Sequence, residues 1–570
     1  MDQDSEGCFR TVVTELRAGN LYKYILDGVV ERPDPASRLQ PEGVHGPSMT
    51  VDLSEFPRSG RSWQNHPLDN YIIYELHIGT FTPGGTFEAA IERIPYLREL
   101  GVTAVELMPV AQFPGERNWG YDGVYPYAVQ SSYGGPGELI NLIDALHGAG
   151  LAVILDVVYN HLGPEGNYLR DFGPYFTDKY QTPWGDAINY DGPESQRVRD
   201  FFIGNALYWL FEFGFDALRL DAVHGIFDKS PVHILKEMKQ AVMSMPGGKG
   251  KYLIAESDLN ETCLVDPPEK EGYGLDAQWN DDFHHCLHTL LTGESDGYYM
   301  DFGSTEALKK AYSEGFVFTG QFSGFRGRQH GTPSRHVPPG KLIVHSQTHD
   351  QVGNRMMGDR LSASLPQEKL RFAAAAVILS PYVPLIFMGE EYAEDAPFQY
   401  FISHSDPSLV EAVRKGRIEE FSSFQWKGVP PDPADKATFL GSKLNIALAK
   451  RQPNAGMLEF YRKLIRIRQQ HPALASPKRQ NIEVIQISGS RTIIVAIWDN
   501  VGTSMILEVL CFENKESVSF SLPREGRWPK IGAWELLIDS SMRETPGTSV
   551  RIEDRVTVGP ISLSLFEHIS

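Results

Sequence analysis

The chain has 570 residues, 41% of them hydrophobic and 22% charged, with a formal net charge of −20. Such a composition builds a large core divided among several domains, and the acidic excess excludes nucleic acid and anionic membrane surfaces as partners, since both demand a basic face. The four cysteines, Cys8, Cys263, Cys286 and Cys511, lie far apart and form no CxxC pair, which argues against a disulfide framework or a zinc site.

The opening stretch Met1-Asp2-Gln3-Asp4-Ser5-Glu6 is acidic and lacks the apolar h-region of a signal peptide. No run reaches the ~18 apolar residues that cross a bilayer. A cytoplasmic protein without a membrane partner is expected. Residues 9–16 and 21–26 read as strands, too few for an independent β-sandwich. They are expected to be the back half of a β domain spanning 1–56, whose early strands are absent from this chain.

From residue 71 onward the pattern alternates strand and helix, which implies a parallel sheet. Strands are predicted at 71–78, 102–109, 151–158, 215–220, 251–256, 341–347 and 383–388, with a weaker one at 274–279. Helices are predicted at 86–100, 137–147, 195–213, 234–243, 367–379 and 457–470. Eight such units across 57–474, with a small excursion at about 161–191, predict an α/β fold of the (β/α)₈ type. A doubly wound open sheet is the alternative, but no glycine-rich phosphate fingerprint follows the first strand. From 475 to 570 the pattern changes to short strands, and a C-terminal β-sandwich is expected.

In a (β/α)₈ barrel, chemistry sits at the C-terminal ends of the strands. Here those ends carry Asp156-Val157-Val158-Tyr159-Asn160-His161, then Arg219-Leu220-Asp221-Ala222-Val223-His224, then Ala255-Glu256, then His349-Asp350-Gln351-Val352-Gly353-Asn354. Arg219 and Asp221 are two apart on a strand and so share a face. A buried charged pair is costly unless it is compensated or working. Alone it reads equally well as a structural bridge; four such strand ends on one rim do not. Crowded acids raise one another's pKa, which acid–base catalysis uses. There is no HExxH or Gly-x-Ser-x-Gly motif, and His284 and His285, being adjacent, cannot face one way on a helix. No metal or cofactor is expected. What remains is a carboxylate-rich, aromatic-rimmed cleft, the chemistry of glycosidic bond cleavage.

These four regions, in this order, resemble the signature regions of the α-amylase superfamily of retaining glycoside hydrolases. Within it the likeness is greatest to the maltooligosyl trehalose trehalohydrolases, through residues 74–83, 105–109, 118–123, 272–285 and 348–355. That resemblance implies hydrolysis of the α-1,4 bond next to the terminal trehalose of a maltooligosyl trehalose, in trehalose biosynthesis, with maltooligosyl trehalose synthase as functional partner. It implies Asp221 as nucleophile, Glu256 as general acid and then base, and Asp350 as transition-state stabiliser. Arg219 would keep Asp221 ionised, and Tyr121, His161 and His349 would hold the same sugar, with Asp156 among the substrate-binding residues. Asp281, Asp282, Phe283, His284 and His285 would line the leaving-group side. Substrate contact would extend to Leu220, Ala222, Val223, His224, Gln351, Val352, Gly353 and Asn354. The family's full N-terminal β-sandwich is where this chain departs from the pattern. The rival reading is a glycogen branching enzyme or another α-glucan hydrolase or transferase of the same superfamily.

Overall fold

The structure is a computed structural model that describes residues 1–3, 9–59, 63–421, 428–523, 526–529, 532–541, 551–552 and 555–569. Eight short strands supply its centre: β1 (Ile73–Leu76), β2 (Ala104–Leu107), β3 (Ala152–Val157), β4 (Ala217–Leu220), β5 (Tyr252–Ala255), β6 (Ala277–Trp279), β7 (Leu342–His345) and β8 (Val383–Phe387). Every neighbouring pair is parallel, and β8 closes onto β1 to complete a barrel in sequence order. The predicted barrel is present. The weak sixth strand is real but only three residues long.

Strand parity then sorts the interior by depth. Register aligns Ile73 with Ala104 and Ala104 with Ala152, and likewise Ile154 with Ala217. These residues, with Ile254, Ala277, Ile343, Val383 and Leu385, fill an apolar plug. Two residues further along, the same inward positions become Glu75, Glu106, Asp156 and Arg219, all buried. The barrel is therefore oily below and ionic above. The ionic layer faces the C-terminal rim.

Several predicted elements differ in detail. The helix predicted over 86–100 breaks into Phe87–Ile91 and Ile94–Leu100. Pro95 lacks an N–H and sits in the first turn of the second piece, where that donor is not needed. Gly101, at φ 98°, ends it in the left-handed region. The helix predicted over 195–213 runs as α from Ser195 to Leu207 and then widens to a π turn over Tyr208–Phe213 before Gly214. Helices at Asp281–Thr292, Thr305–Glu314 and Pro407–Glu420 were not expected from the pattern. The excursion after β3 contains a hairpin, Phe176–Thr182 paired with Gly185–Ile188.

Near the start, only Phe9–Arg10 of the stretch 9–16 is strand, paired with Asp2–Gln3, and residues 14–15 form a turn. The stretch 21–26 divides at Lys23. Leu21–Tyr22 pairs with Ser48–Met49, and Tyr24–Leu26 with Val30–Arg32. Cys8 lies outside the described residues. At the other end, Ile482–Gln486, Thr492–Trp498, Met505–Cys511, Ser562–Ile569, Ala533–Asp539 and Arg551–Ile552 form a six-stranded sheet in that spatial order. A two-stranded sheet, Val518–Ser521 with Arg555–Val558, accompanies it. Tyr312 of the barrel donates to buried Glu508 of this domain at 3.2 Å, a polar tie across the junction.

Candidate active site

Arg219 is the hub. Its side chain is fully buried, and its guanidinium lies over the Trp279 ring at 4.5 Å from the centroid. Nη1 donates to both oxygens of Asp156 at 3.0 and 2.9 Å and to Asp221 Oδ1 at 2.7 Å. Nη2 stands 3.6 Å from Glu256 Oε2 and 3.9 Å from Asp350 Oδ2. One cation thus faces four carboxylates delivered from β3, β4, β5 and the loop after β7.

Asp221 and Glu256 are driven in opposite directions. For Asp221 burial is the largest effect and raises the pKa, but Arg219, His161 and Asn160, whose Nδ2 donates to Asp221 Oδ2 at 2.7 Å, together outweigh it. Asp221 is held below the usual carboxylate range. For Glu256, burial is again the largest effect; Arg219 opposes it, yet Asp221, Asp350 and Asp281 add to it, so its pKa is pushed well up. Between the two, Ala222 takes a left-handed φ of 38°, rare for a residue with a Cβ. That turn points the Ala222 N–H at Glu256 Oε2, at 2.6 Å. The strain buys a fixed relation between the two carboxyls.

Asp350 is the most open of the set, with 39% of its side chain exposed. Thr348 caps its short helix by accepting from the Asp350 N–H at 3.2 Å, and Asn354 donates to Asp350 Oδ1 at 3.2 Å. Tyr121 donates to Asp156 at 2.6 Å, its ring stacked 5.2 Å from that of His349. His161 has both ring nitrogens engaged, by Asn160 and by the Tyr121 carbonyl, and its ring lies flat on Trp184 at 4.5 Å. Burial lowers its pKa, and the nearby Asp221 and Asp122 oppose that shift.

The block Asp281–His285, expected to line one side of the cleft, splits. Asp281 reaches the rim, 3.3 Å from His345 Nε2 and 3.4 Å from Gln351 Nε2. His285 packs against Tyr298 and Phe302. Asp282 and Phe283 turn away. Asp282 Oδ2 accepts from Asn260 Nδ2 and from the Val317 and Phe318 N–H groups at 2.8, 2.7 and 3.0 Å, and Phe283 is buried against Tyr312 and Tyr382. His284 is buried between the Ser346 carbonyl and Tyr299. Leu220, Val223 and Val352 are core side chains. Gly353 lies so close to Trp119 that a Cβ would meet its ring at 2.0 Å. His224 is exposed, 3.9 Å from Asp258. Among the described residues, no group of three or more His, Cys, Asp or Glu is arranged to hold a metal ion.

Sequence reading missed Glu75, bound to His349, although a charge inside an apolar strand is the same signal that marks Arg219. It also missed an exposed aromatic rim of Trp184 and Phe325, with Tyr298 beside the latter and Arg326 tied to Asp258 at 2.7 Å. These come from separate loops and carry no shared motif.

The alpha amylase catalytic-domain family matches residues 54–206. A curated relative, the malto-oligosyltrehalose trehalohydrolase of Saccharolobus solfataricus, is 49% identical over 85% of this chain and 83% of its own length. The chain belongs to the malto-oligosyltrehalose trehalohydrolase family. A crystal structure from Salmonella typhimurium, described as a candidate alpha amylase, superposes on this trehalohydrolase-family fold with a TM-score of 0.87. It is 38% identical, and the match covers 98% of this chain and 92% of that one. The branching enzyme GlgB of Bacillus caldolyticus is more distant from the trehalohydrolase family member described here, at 29% identity over 69% of this chain.

Proposed function

We propose that this chain is a retaining glycoside hydrolase that cleaves the α-1,4 bond next to the terminal trehalose of a maltooligosyl trehalose. The observation that carries the mechanism is the pairing of a low-pKa Asp221 with a high-pKa Glu256 around one guanidinium. At neutral pH Asp221 is an ionised nucleophile and Glu256 a protonated acid, the division of labour that glycosidases require.

In the first step a carboxylate oxygen of Asp221 attacks the anomeric carbon, and Glu256 gives its proton to the leaving oxygen of trehalose. In the second, Glu256 takes a proton from water, whose oxygen displaces Asp221 and leaves a shortened maltooligosaccharide. Asp350, open to the cleft, supports the oxocarbenium-like charge that develops on the sugar in the transition state of each step. Tyr121, His161 and His349 form the wall around that sugar. Asp281, Gln351 and His285, with the aromatic rim of Tyr298 and Phe325, face the leaving trehalose. Neighbouring attachment to one guanidinium supports retention, which needs carboxyls only ~5–5.5 Å apart.

The product places the reaction in trehalose biosynthesis, downstream of a maltooligosyl trehalose synthase. The absence among described residues of a helix long and apolar enough to cross a membrane fits a cytoplasmic site of action. Incubation with maltopentaosyl trehalose and, separately, with amylose tests the reading. Fast release of trehalose from the first supports it; new α-1,6 branches in the second would establish the transferase alternative instead.

A further inference from the structure

Glu75 lies on β1, level in register with Glu106 on β2, and its side chain is 1% exposed. Burying a carboxylate there is costly unless its oxygens are used. Both are. Oε2 accepts the backbone N–H of His349 at 3.0 Å, and Oε1 is bound to the Nδ1 of the same residue's ring. One carboxylate therefore grips His349 at two points, fixing both where the chain passes and how the imidazole is turned.

Hydrogen-bond bookkeeping then sets the ring's charge. Nδ1 must be a donor, because an ionised carboxylate only accepts. Tyr121 Oη is 2.7 Å from His349 Nε2, but its single proton is given to Asp156 Oδ2 at 2.6 Å. With that hydrogen spent, Nε2 must donate to Tyr121, so both ring nitrogens carry protons and His349 is a cation. The groups around it are Glu75 and Glu106 from β1 and β2, Asp156 and Arg219 from β3 and β4, Tyr121, Asp350 on its own helix, and His77 at the end of β1. Burial and Arg219 oppose the charge, yet Asp350 and Glu75 outweigh them and carry the His349 pKa up to about 9.

We propose that Glu75 is a positioning residue of the hydrolytic site, holding His349 by ring and backbone together so that its second nitrogen stays on Tyr121 and beside Asp350. The chain of contacts runs Glu75, His349, Tyr121, Asp156, Arg219, Asp221, so the first barrel strand is wired to the nucleophile. This rests on the reading of His349 and Asp350 as groups that hold the reacting sugar.

Glu75→Gln removes the charge and offers a single acceptor where His349 presents two donors. In the full-length chain, kcat for trehalose release should fall ~10–100-fold, as for other lost supporting partners of a site residue, while KM changes by less than threefold. In ¹⁵N-histidine spectra of Glu75→Gln the pH at which the His349 ring loses its second proton should fall by at least one unit, and Glu75→Asp should restore it. A kcat within twofold of the parent, or a lost kcat with an unmoved His349 titration, overturns the proposal. A parent chain that releases no trehalose at all would instead refute the function on which the proposal rests. A second measurement needs no Glu75 variant. With ¹⁵N-labelled histidine at pH 7.5, one residue, identified by its absence in His349→Gln, should show both ring nitrogens protonated. A neutral ring at that position overturns the proposal.

Discussion

Asp221 and Glu256 hang on neighbouring nitrogens of one guanidinium, Asp221 at 2.7 Å and Glu256 at 3.6 Å. That difference is chemical as well as geometric. At 2.7 Å the contact is a charge-assisted hydrogen bond, and at 3.6 Å it is not. The same cation therefore ionises one carboxyl and leaves the other dominated by burial and by its acidic neighbours.

The hub makes a sharp prediction. Lysine in place of Arg219 offers one point charge where the site uses a fork. With Asp156 and Asp221 no longer both satisfied, their pKa values rise, so the acid limb of kcat/KM should move to higher pH, and kcat should drop at least ~100-fold. Arg219→Ala leaves four carboxylates without their cation and should lower unfolding free energy by ~3–5 kcal/mol. Urea titration at pH 7 measures the latter. A variant as stable as the parent would show that the acids do not depend on Arg219.

The assignment of nucleophile and acid separates by chemical rescue. In Glu256→Ala, azide can attack the glycosyl–Asp221 intermediate without base help, so rescue with an activated glucosyl donor should give the α-azide. In Asp221→Ala, azide takes the nucleophile's place and the product should be the β-azide. Each unrescued variant should lose at least ~10⁴-fold in kcat. The opposite stereochemistry in either variant interchanges the roles.

The pH profile follows from the sign of each shift. The nucleophile must be ionised, and its lowered pKa sets the acid limb below the ordinary carboxylate value of 3.8. The acid must be protonated, so activity persists until pH passes the raised pKa of Glu256. Asp281 is one of the charges that raise that pKa. Asp281→Asn should accordingly move the alkaline limb of kcat/KM to lower pH, whatever it does to binding. An upward or absent movement contradicts the electrostatic account.

The barrel is readable because β3, β4, β7 and β8 are apolar runs bounded by turn signals, and the rim is readable because charges interrupt those runs at the same end. β6 is hard to see for a physical reason: three residues, Ala277–Trp279, are too short to show a period. The helix Asp281–Thr292 is masked by its polar first turn and three histidines, though Phe283, Cys286, Leu287, Leu290 and Leu291 already trace its buried stripe. Trp184, Tyr298 and Phe325 reach the rim from separate loops, so only tertiary folding assembles them. Within Asp281–His285, adjacency in sequence cannot say which side chains face the cleft. Helical geometry alone turns neighbours about 100° apart.

That last point can be tested on Asp281 and Asp282. Asp282 binds Asn260 and two loop N–H groups with one oxygen, closing the turn at Val317–Phe318 against the barrel. Its pKa is pushed up to about 6, burial outweighing those donors. Asp282→Ala strands one side-chain amide and two backbone donors, each costing ~1–3 kcal/mol when unsatisfied and buried. The variant should lose several kcal/mol of stability by urea titration, while its ratio of trehalose release to glucan hydrolysis stays within about twofold of the parent at a temperature where it is folded. Asp281→Ala, whose carboxyl faces the rim beside His345 and Gln351, should do the reverse: a small loss of stability and a large change in that ratio. If selectivity follows Asp282 instead, the interior carboxylate governs substrate choice through the 317–318 turn, and the division made here between rim and interior is wrong.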